Sequence, residues 1–534
     1  MKHRLLYIPI VLLFLLSFTD CAKKGSPSGG IKDSIPPVIV KSNPENYSIN
    51  FSENEIRIYF DEYIKLKDLQ KELIVSPPLK YPPTITPLST SKVLKIKIDD
   101  TLKENTTYSF NFGNSIVDNN EENAFKYFKY VFSTGSYIDS LNLKGNVRDA
   151  LLPKPEGPST VLLYEVNENF QDSLIYSEKP TYITTTTDSI GSFELTNLKE
   201  GNYLLLALKE KSNDYTFQPK DDKIAFADRV ISLPTDSTYT LTLFKETPDY
   251  KLARPSLIAK NHIVFGYEGE GDSLKVSISS QTPNTYKSKT YRDRLKDTLH
   301  YWFKPALEND SLVFIARNKL YIDTLNVRMR DLYKDSLSAQ IINPKALTPN
   351  DTLEIQVNTP IVTIDSEKLF VMDKDSVAVT ASMSYTEETN VLKIAFPKKE
   401  EQNYSVQLLP GAFTDFYDKE NDTISHIVRT RAASDYGTIE LTLQNANEFP
   451  LIVQLVDAKF NVVSEEHISE NRKVNFEHII PAFYYIRIIY DQNSNQQWDT
   501  GSFLQRTAPE KIVYYPSKIE VRANWSLKET FILK

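Results

Sequence analysis

The residues with the clearest potential for chemistry lie near the C-terminus, in Asp491-Gln492-Asn493-Ser494-Asn495-Gln496-Gln497-Trp498-Asp499-Thr500-Gly501. Oxygen-bearing side chains recur there at alternate positions. A hard cation such as calcium needs several oxygens converging on one point, and a loop with this spacing can supply them. Asp491, Asn493, Asn495 and Asp499 are therefore the candidate calcium ligands. The match to a helix-flanked calcium loop is incomplete. Gln496 stands where such a loop turns on Gly, and Ser502 stands where it ends on a bidentate Glu. The competing reading is an Asx-rich turn between two strands, with Trp498 plugging a sandwich. An earlier segment keeps part of the pattern, with Glu210, Ser212 and Asp214 followed by Phe217. Calcium is the one cofactor the sequence leaves open.

Other chemistry is poorly supported. Asp61-Glu62 and Asp99-Asp100 are adjacent carboxylates, but neighbouring strand residues point to opposite faces and do not share a proton. His262, His300, His426, His467 and His478 are scattered, without the spacing of a metal-binding pair. There is no Gly-x-Ser-x-Gly elbow and no phosphate-binding loop, in a chain with only 15 glycines. The expectation is a protein that is not an enzyme. Tyr301-Trp302-Phe303 is an aromatic cluster that could serve as an interface anchor or a sugar platform, and is more often core.

The elements that must hold these residues are strands. Glu55-Ile56-Arg57-Ile58-Tyr59-Phe60, Val93–Ile98 and Tyr108–Phe112 alternate polar and apolar residues, which buries one face of a strand and wets the other. Turn clusters such as 118–123 separate them. Short strands at regular spacing predict β-sandwiches. At 534 residues the chain is too long for one core, and 31 Tyr and 27 Phe suit half-buried sheet surfaces. Its net charge is −8, from 62 basic and 70 acidic residues, so a nucleic-acid partner is not expected.

The N-terminus reads as an export signal. Lys2, His3 and Arg4 precede an apolar stretch from Leu5 to Phe18, too short for a bilayer span and suited to a signal peptide over residues 1–20. Cys21, the only cysteine, follows at once and resembles the acylation site of a bacterial lipobox, with Asp20 departing from the usual small residue. With one cysteine, no intrachain disulfide can form. Residues 21–35, rich in Gly, Ser, Lys and Pro, read as a flexible tether.

Internal repetition divides the rest into five modules. Module 1 covers residues 36–136, and module 4 covers 340–433 as a second copy of it. Shared features are Val93-Leu94-Lys95-Ile96 with Val391-Leu392-Lys393-Ile394, Thr107-Tyr108-Ser109 with Asn403-Tyr404-Ser405, and a turn matched through Asp118 and Asp418. Module 2 covers 138–246 and is repeated in module 5, 434–534, where Tyr203 stands seven residues before Glu210 and Tyr484 seven before Asp491. Module 3, 247–339, is a β-sandwich of unclear type.

The opening of the mature chain resembles a family of Bacteroidota lipoproteins. Cys21, Gly29-Gly30, Asp33, Pro36-Pro37, Pro44, Phe60-Asp61-Glu62-Tyr63-Ile64 and Ser76-Pro77-Pro78 resemble those that begin with a bacterial Ig-like domain of the S-layer-protein type. Thr187, Asp188, Gly191, Phe193, Leu198, Gly201 and Tyr203 resemble the motif of transthyretin-like, carboxypeptidase-regulatory-like sandwiches. The resemblance implies an all-β tandem array of Ig-like and transthyretin-like β-sandwiches. It also implies a lipoprotein held at the outer membrane through acylated Cys21, which acts by binding or scaffolding with an outer-membrane protein partner. An accessory role in β-barrel assembly or lipoprotein export is the form expected, and a carbohydrate-binding surface protein is the alternative. Ala22-Lys23-Lys24 replaces the acidic residues that often follow the cysteine in surface-exported members, which leaves the leaflet open. That lineage O-glycosylates Asp-Ser/Thr tripeptides that end in a small or aliphatic residue, which occur here fourteen times, at Ser34, Thr101, Ser140, Ser173, Ser189, Ser237, Ser273, Thr298, Ser311, Thr324, Ser336, Thr352, Ser376 and Thr423. Asp and Ser also favour turns that start strands, which by itself generates such tripeptides.

Overall fold

A computed structural model of the chain describes residues 33–187, 190–342, 346–349 and 351–533. Cys21, the signal segment and Ser189 lie outside the described residues. The described chain is an all-β array of sandwiches, and its one α-helix among the described residues is a single turn, Leu69–Glu72. No helix among them is long and apolar enough to cross a membrane.

Module 1 contains β1 (Ile39–Asn43), β2 (Glu55–Leu66), β3 (Ile74–Ser76), β4 (Thr84–Thr86), β5 (Ser91–Lys97), β6 (Thr107–Asn111), β7 (Ile116–Asp118) and β8 (Lys129–Ser133). One sheet runs β1-β2-β5-β4, with β7 on the far half of β2, and the other runs β3-β6-β8. The alternation seen in sequence does its expected work. Ile56, Ile58, Phe60, Leu94 and Ile96 face inward against Phe110 and Phe132, and the polar residues between them face out.

Module 2 contains β9 (Leu141–Asp149), β10 (Thr160–Glu165), β11 (Tyr182–Thr185), β12 (Ser192–Leu198), β13 (Gly201–Lys209), β14 (Lys223–Phe226), β15 (Ile231–Leu233) and β16 (Thr238–Leu243). Its sheets are β11-β10-β13-β14, with β15 also on β13, and β12-β9-β16, in which the last strand runs parallel to the first. The motif glycine Gly191 has φ +81°, and a Cβ there would lie 2.0 Å from the Val147 carbonyl oxygen. Gly145 lies under the Phe193 ring. The spacing of the motif thus reflects two close backbone approaches that a side chain would block.

Module 3 contains β17 (Lys251–Leu252), β18 (Ser256–Ala259), β19 (His262–Glu268), β20 (Lys275–Ile278), β21 (Lys287–Arg292), β22 (Thr298–Lys304), β23 (Ser311–Asn318) and β24 (Tyr321–Arg328). It pairs a β17-β19-β22-β21 sheet, with β18 on β19, with a β20-β23-β24 sheet.

Module 4 contains β25 (Ala339–Ile341), β26 (Leu353–Val357), β27 (Ile361–Ile364), β28 (Leu369–Met372), β29 (Ser382–Thr386), β30 (Val391–Ala395), β31 (Asn403–Leu408), β32 (Phe413–Asp415) and β33 (Ile424–Arg429). Its sheets, β25-β26-β30-β29, β27-β32 and β28-β31-β33, reproduce the order of module 1 with β2 broken into β26 and β27. One matched residue is corrected. Asp118 ends β7 opposite Ile64, and the residue that ends β32 in the same way, opposite Ile361, is Asp415, three residues before Asp418. Asp415 is buried and accepts from the Tyr417 and Lys419 amides, as Asp118 does from Asn120, Glu121 and Asn123, whereas Asp418 is an exposed partner of Lys304.

Module 5 contains β34 (Gly437–Gln444), β35 (Leu451–Val456), β36 (Val462–Ile468), β37 (Val474–Ile479), β38 (Ala482–Tyr490), β39 (Ile512–Tyr514), β40 (Ile519–Val521) and β41 (Ser526–Ile532). The sheets β36-β35-β38-β39, with β40 on β38, and β37-β34-β41, again with a parallel last strand, repeat module 2 strand for strand.

The described chain divides into two compact units. The first takes the described residues up to Asn142 with Thr181–Thr184 and Leu195–Glu200, and the second takes the rest.

Candidate functional site

The predicted calcium loop follows β38. Asp491 is buried, and its two carboxylate oxygens accept the Asn495 and Gln496 amides at 3.1 and 3.0 Å. Asn493 and Asn495 turn their side-chain amides onto the same oxygen of Asp499, at 2.6 and 2.9 Å. Their own side-chain oxygens accept the amides of Asn495 and Gln497. The structure therefore gathers all four predicted residues, but as partners of one another. Among the described residues, no group of three His, Cys, Asp or Glu side chains is arranged to hold a metal ion.

Glu510 was not singled out in the sequence, and it ties the loop shut. It accepts the Gln492 amide at 2.7 Å and the Asp499 amide at 3.1 Å, and its main-chain carbonyl accepts the Trp498 indole. Burial, with Asp499 and Asp491 nearby, raises its pKa. Module 2 uses the same device. Glu210 follows β13 and accepts the Tyr215 amide, while Asp222 accepts those of Lys211 and Gln218. The signal available in sequence was an acid just before the next strand in each copy, Asp222 before Lys223 and Glu510 before Ile512.

What the loop positions is a clasp within the second unit. Residues 500–507 follow it and reach module 2. Thr500 donates its hydroxyl to the Lys245 carbonyl at 2.6 Å, the Phe503 amide donates to Glu246, and Arg506 pairs with Asp172. Phe503 is fully buried, edge-on to Phe226 at 5.6 Å, and Arg506 lies over its ring at 4.2 Å. Gly501 passes so close to Phe244 that a Cβ would fall 2.8 Å from the ring. A second contact completes the joint. Arg487 and Tyr514 both donate to the Leu151 carbonyl, and Arg487 also holds Gln454 at 2.6 Å.

A second joint packs module 3 on module 4 around Trp302, while Tyr301 and Phe303 on either side of it turn into the core of module 3. Tyr301, Trp302 and Phe303 are all buried, so the sugar platform that the carbohydrate reading would place on them is not there. Trp302 packs with Tyr291, Phe416 and Tyr417. Tyr417 donates to the carbonyls of Asn261 and Phe303, and Tyr291 donates to that of Asn358. Ion pairs Lys289–Glu387 and Arg294–Glu354 edge the contact.

Behind Trp302 runs a chain of titratable groups that the scattered sequence positions did not announce. Asp335 meets His262 at 3.2 Å, His262 meets His300 at 2.8 Å, and His300 meets Asp293 at 3.4 Å. Burial lowers the pKa of His262 to about 3 and lowers that of His300, while it raises that of Asp335. Neutral imidazoles donate one proton each, so one contact of the three lacks a proton when both carboxylates are ionised. The longest contact, to Asp293, fits that deficit.

The adjacent carboxylates do other work. Asp61 caps the Val38 amide and Asp100 the Thr101 amide. Of the glycosylation candidates, Ser34, Thr101, Ser140, Ser173, Ser237, Ser273, Thr324, Ser336, Ser376 and Thr423 are exposed, and Thr298, Ser311 and Thr352 are half-buried.

Residues 33–134 match the family described as bacterial Ig-like domain. No curated protein matches the chain. Among solved structures, an S-layer protein, SbsC, is 11% identical, over 91% of this chain and 67% of that one, with a TM-score of 0.17. The major pilin subunit BcpA of Bacillus cereus is 10% identical over 73% of this chain and 98% of its own, with a TM-score of 0.14. The I9–I11 tandem of titin is 9% identical over 52% and 100%, at 0.12. At such scores these likenesses carry no weight on function.

Proposed function

We propose that this chain is a non-catalytic scaffold, exported and anchored by acylated Cys21 to the outer membrane, where it serves as an accessory subunit of a protein complex. The observation that carries the reading is how the reactive side chains are used. The carboxylates of the 491–510 loop close backbone turns, His262 and His300 back a joint between modules, and Trp302, Tyr291 and Phe416 fill that joint. Groups spent in this way hold sandwiches in fixed register and leave the outer faces of the modules for partners. The resemblance of the N-terminal segment to lipoproteins with an Ig-like domain supports this compartment, and the Ig-like match over 33–134 is compatible with a non-catalytic module.

The test is a mild-detergent pull-down of the C-terminally tagged full chain from its native membranes, beside a Cys21→Ala variant. The expected result is a stoichiometric outer-membrane partner with the native chain, and loss of the variant from the membrane fraction. Recovery of the native chain alone from membranes that yield other complexes intact would sink the scaffold reading.

A further inference from the structure

Modules 1 and 4 present the same outer sheet face, and among the described residues only one of the two is covered. Their registers align through a shared corner, in which Tyr108 accepts the Lys103 amide and Tyr404 the Lys399 amide. In module 1 the outward rows across β3, β6 and β8 are Ser76, Ser109, Val131 and Ile74, Asn111, Lys129. In module 4 the same rows across β28, β31 and β33 are Met372, Ser405, Ile427 and Phe370, Gln407, Ser425.

The module 1 face is closed within the first unit by Thr181–Thr184 and Leu195–Glu200. Ile183 donates its amide to Ser76 Oγ at 3.0 Å, and Lys129 Nζ reaches Thr196 Oγ1 at 3.3 Å. Ile74 and Ser109 between them are each 8% exposed, and Val131, whose edge is also lined by Asn46 and Tyr47, is fully buried. On module 4, Phe370 is 41%, Met372 40% and Ile427 57% exposed. The bare copy is thus the more apolar of the two, since Met372 stands where module 1 has Ser76. Apolar residues grouped on one sheet face mark an interaction surface more often than chance.

On the strand that covers module 1, Ile183 is the buried residue turned toward it, and Tyr182 beside it points to the opposite face of the strand. The corresponding strand of module 5 cannot take its place. Counting along the shared registers, with Ser159 beside Thr186 and Leu451 beside Ile468, puts Ser464 and Glu465 at those positions. Glu465 is engaged with Gln454 and His467. A second copy of the chain offers the same polar strand, and its Tyr182-Ile183 is already in use.

We infer that the β28-β31-β33 face of module 4 docks the edge of a β-sandwich in a different protein, through a strand that presents a β-branched side chain as Ile183 does. Ser405, Gln407 and Ser425 make the centre of the face uncharged, so the partner strand is uncharged as well. This rests on the scaffold reading and names the surface that reading requires.

The test places the photocrosslinker p-benzoylphenylalanine at Met372, at Ile427 or at exposed Lys275 in the full chain in native membranes. A probe at Ser76 is the internal control and crosslinks to Tyr182–Thr184. The expected result is an adduct from positions 372 and 427, absent from 275, whose partner peptide maps to a strand of a β-sandwich. Ile427→Glu beside the Met372 probe abolishes it. Silent positions 372 and 427, or adducts only with lipid or a second copy, overturn the inference while the Ser76 control works. A co-purified partner with silent 372 and 427 overturns the face alone, whereas absence of any partner overturns the scaffold reading.

Discussion

At the scale of single residues, the buried imidazoles at the module 3–4 joint give the chain a pH dependence whose sign follows from burial. His262 is held neutral, with its pKa at about 3 against about 6.5 for an unfolded histidine. Between those values the unfolded chain binds more protons than the folded one, so the contribution of His262 is whole above pH of about 6.5 and is lost as pH falls toward 3. Asp335 acts in the opposite sense, because its raised pKa favours the folded state below the ordinary carboxylate range and loses that effect as pH rises through the raised value. His300, whose pKa burial also lowers, acts in the same sense as His262. Trp302 stacks on His262 at 3.6 Å and can report it. In a chain with Trp498 and Trp525 replaced by Phe, the denaturation midpoint read from Trp302 is expected to fall from pH 7 to pH 5. His262→Gln should flatten that slope, and an unchanged slope would assign it elsewhere.

At the scale of elements, the loops after β13 and β38 show how carboxylates that suggest metal binding can serve backbone turns instead. Each hydrogen bond to an ionised carboxylate contributes about 1.5–3 kcal/mol, and Asp491 and Glu510 together accept four amides. Glu510→Ala is expected to raise hydrogen exchange at Gln492 and Asp499 by orders of magnitude while β34 and β35 stay protected. Uniform exchange across module 5 would mean instead that the whole sandwich had loosened. Because the loop oxygens are already engaged, millimolar calcium is expected to give no binding heat and no shift in the melting midpoint, and a saturable heat would restore the sequence-based expectation. The strands themselves were legible from the alternation in segments such as Glu55–Phe60, since one buried face imposes a period of two. The turn register was less so. Asp118 was matched to Asp418 because the residues around each look alike, but what fixes the equivalence is the backbone pairing that ends β7 and β32 at Asp118 and Asp415. Glu510 is not legible in the sequence, because its partners are amides at positions 492 and 499 and the spacing of side chains along a sequence does not reveal amide caps.

At the scale of the whole molecule, the joints were the part that sequence could not supply. Thr500, Phe503 and Leu151 read as ordinary loop residues, and their contacts join positions 255 to 363 apart along the chain. Within the second unit, the clasp links its first sandwich to its last, so modules 2 to 5 are closed by non-covalent contact as well as by their linkers. Much of that closure falls on Phe503, because its buried ring fills the space between Phe226 and Arg506. Truncating a buried phenylalanine costs about 3–5 kcal/mol, more than an exposed ion pair such as Arg506–Asp172 can recover. Phe503→Ala combined with Arg506→Ala is therefore expected to open the module 2–5 joint without unfolding either sandwich, since the module 5 core of Ile439, Val453 and Ile488 lies apart from it. Small-angle scattering of the full chain should then give a larger radius of gyration, with far-ultraviolet circular dichroism unchanged. An unchanged radius would place the closure on the Arg487–Leu151 contact, and Arg487→Met in the same background separates the two.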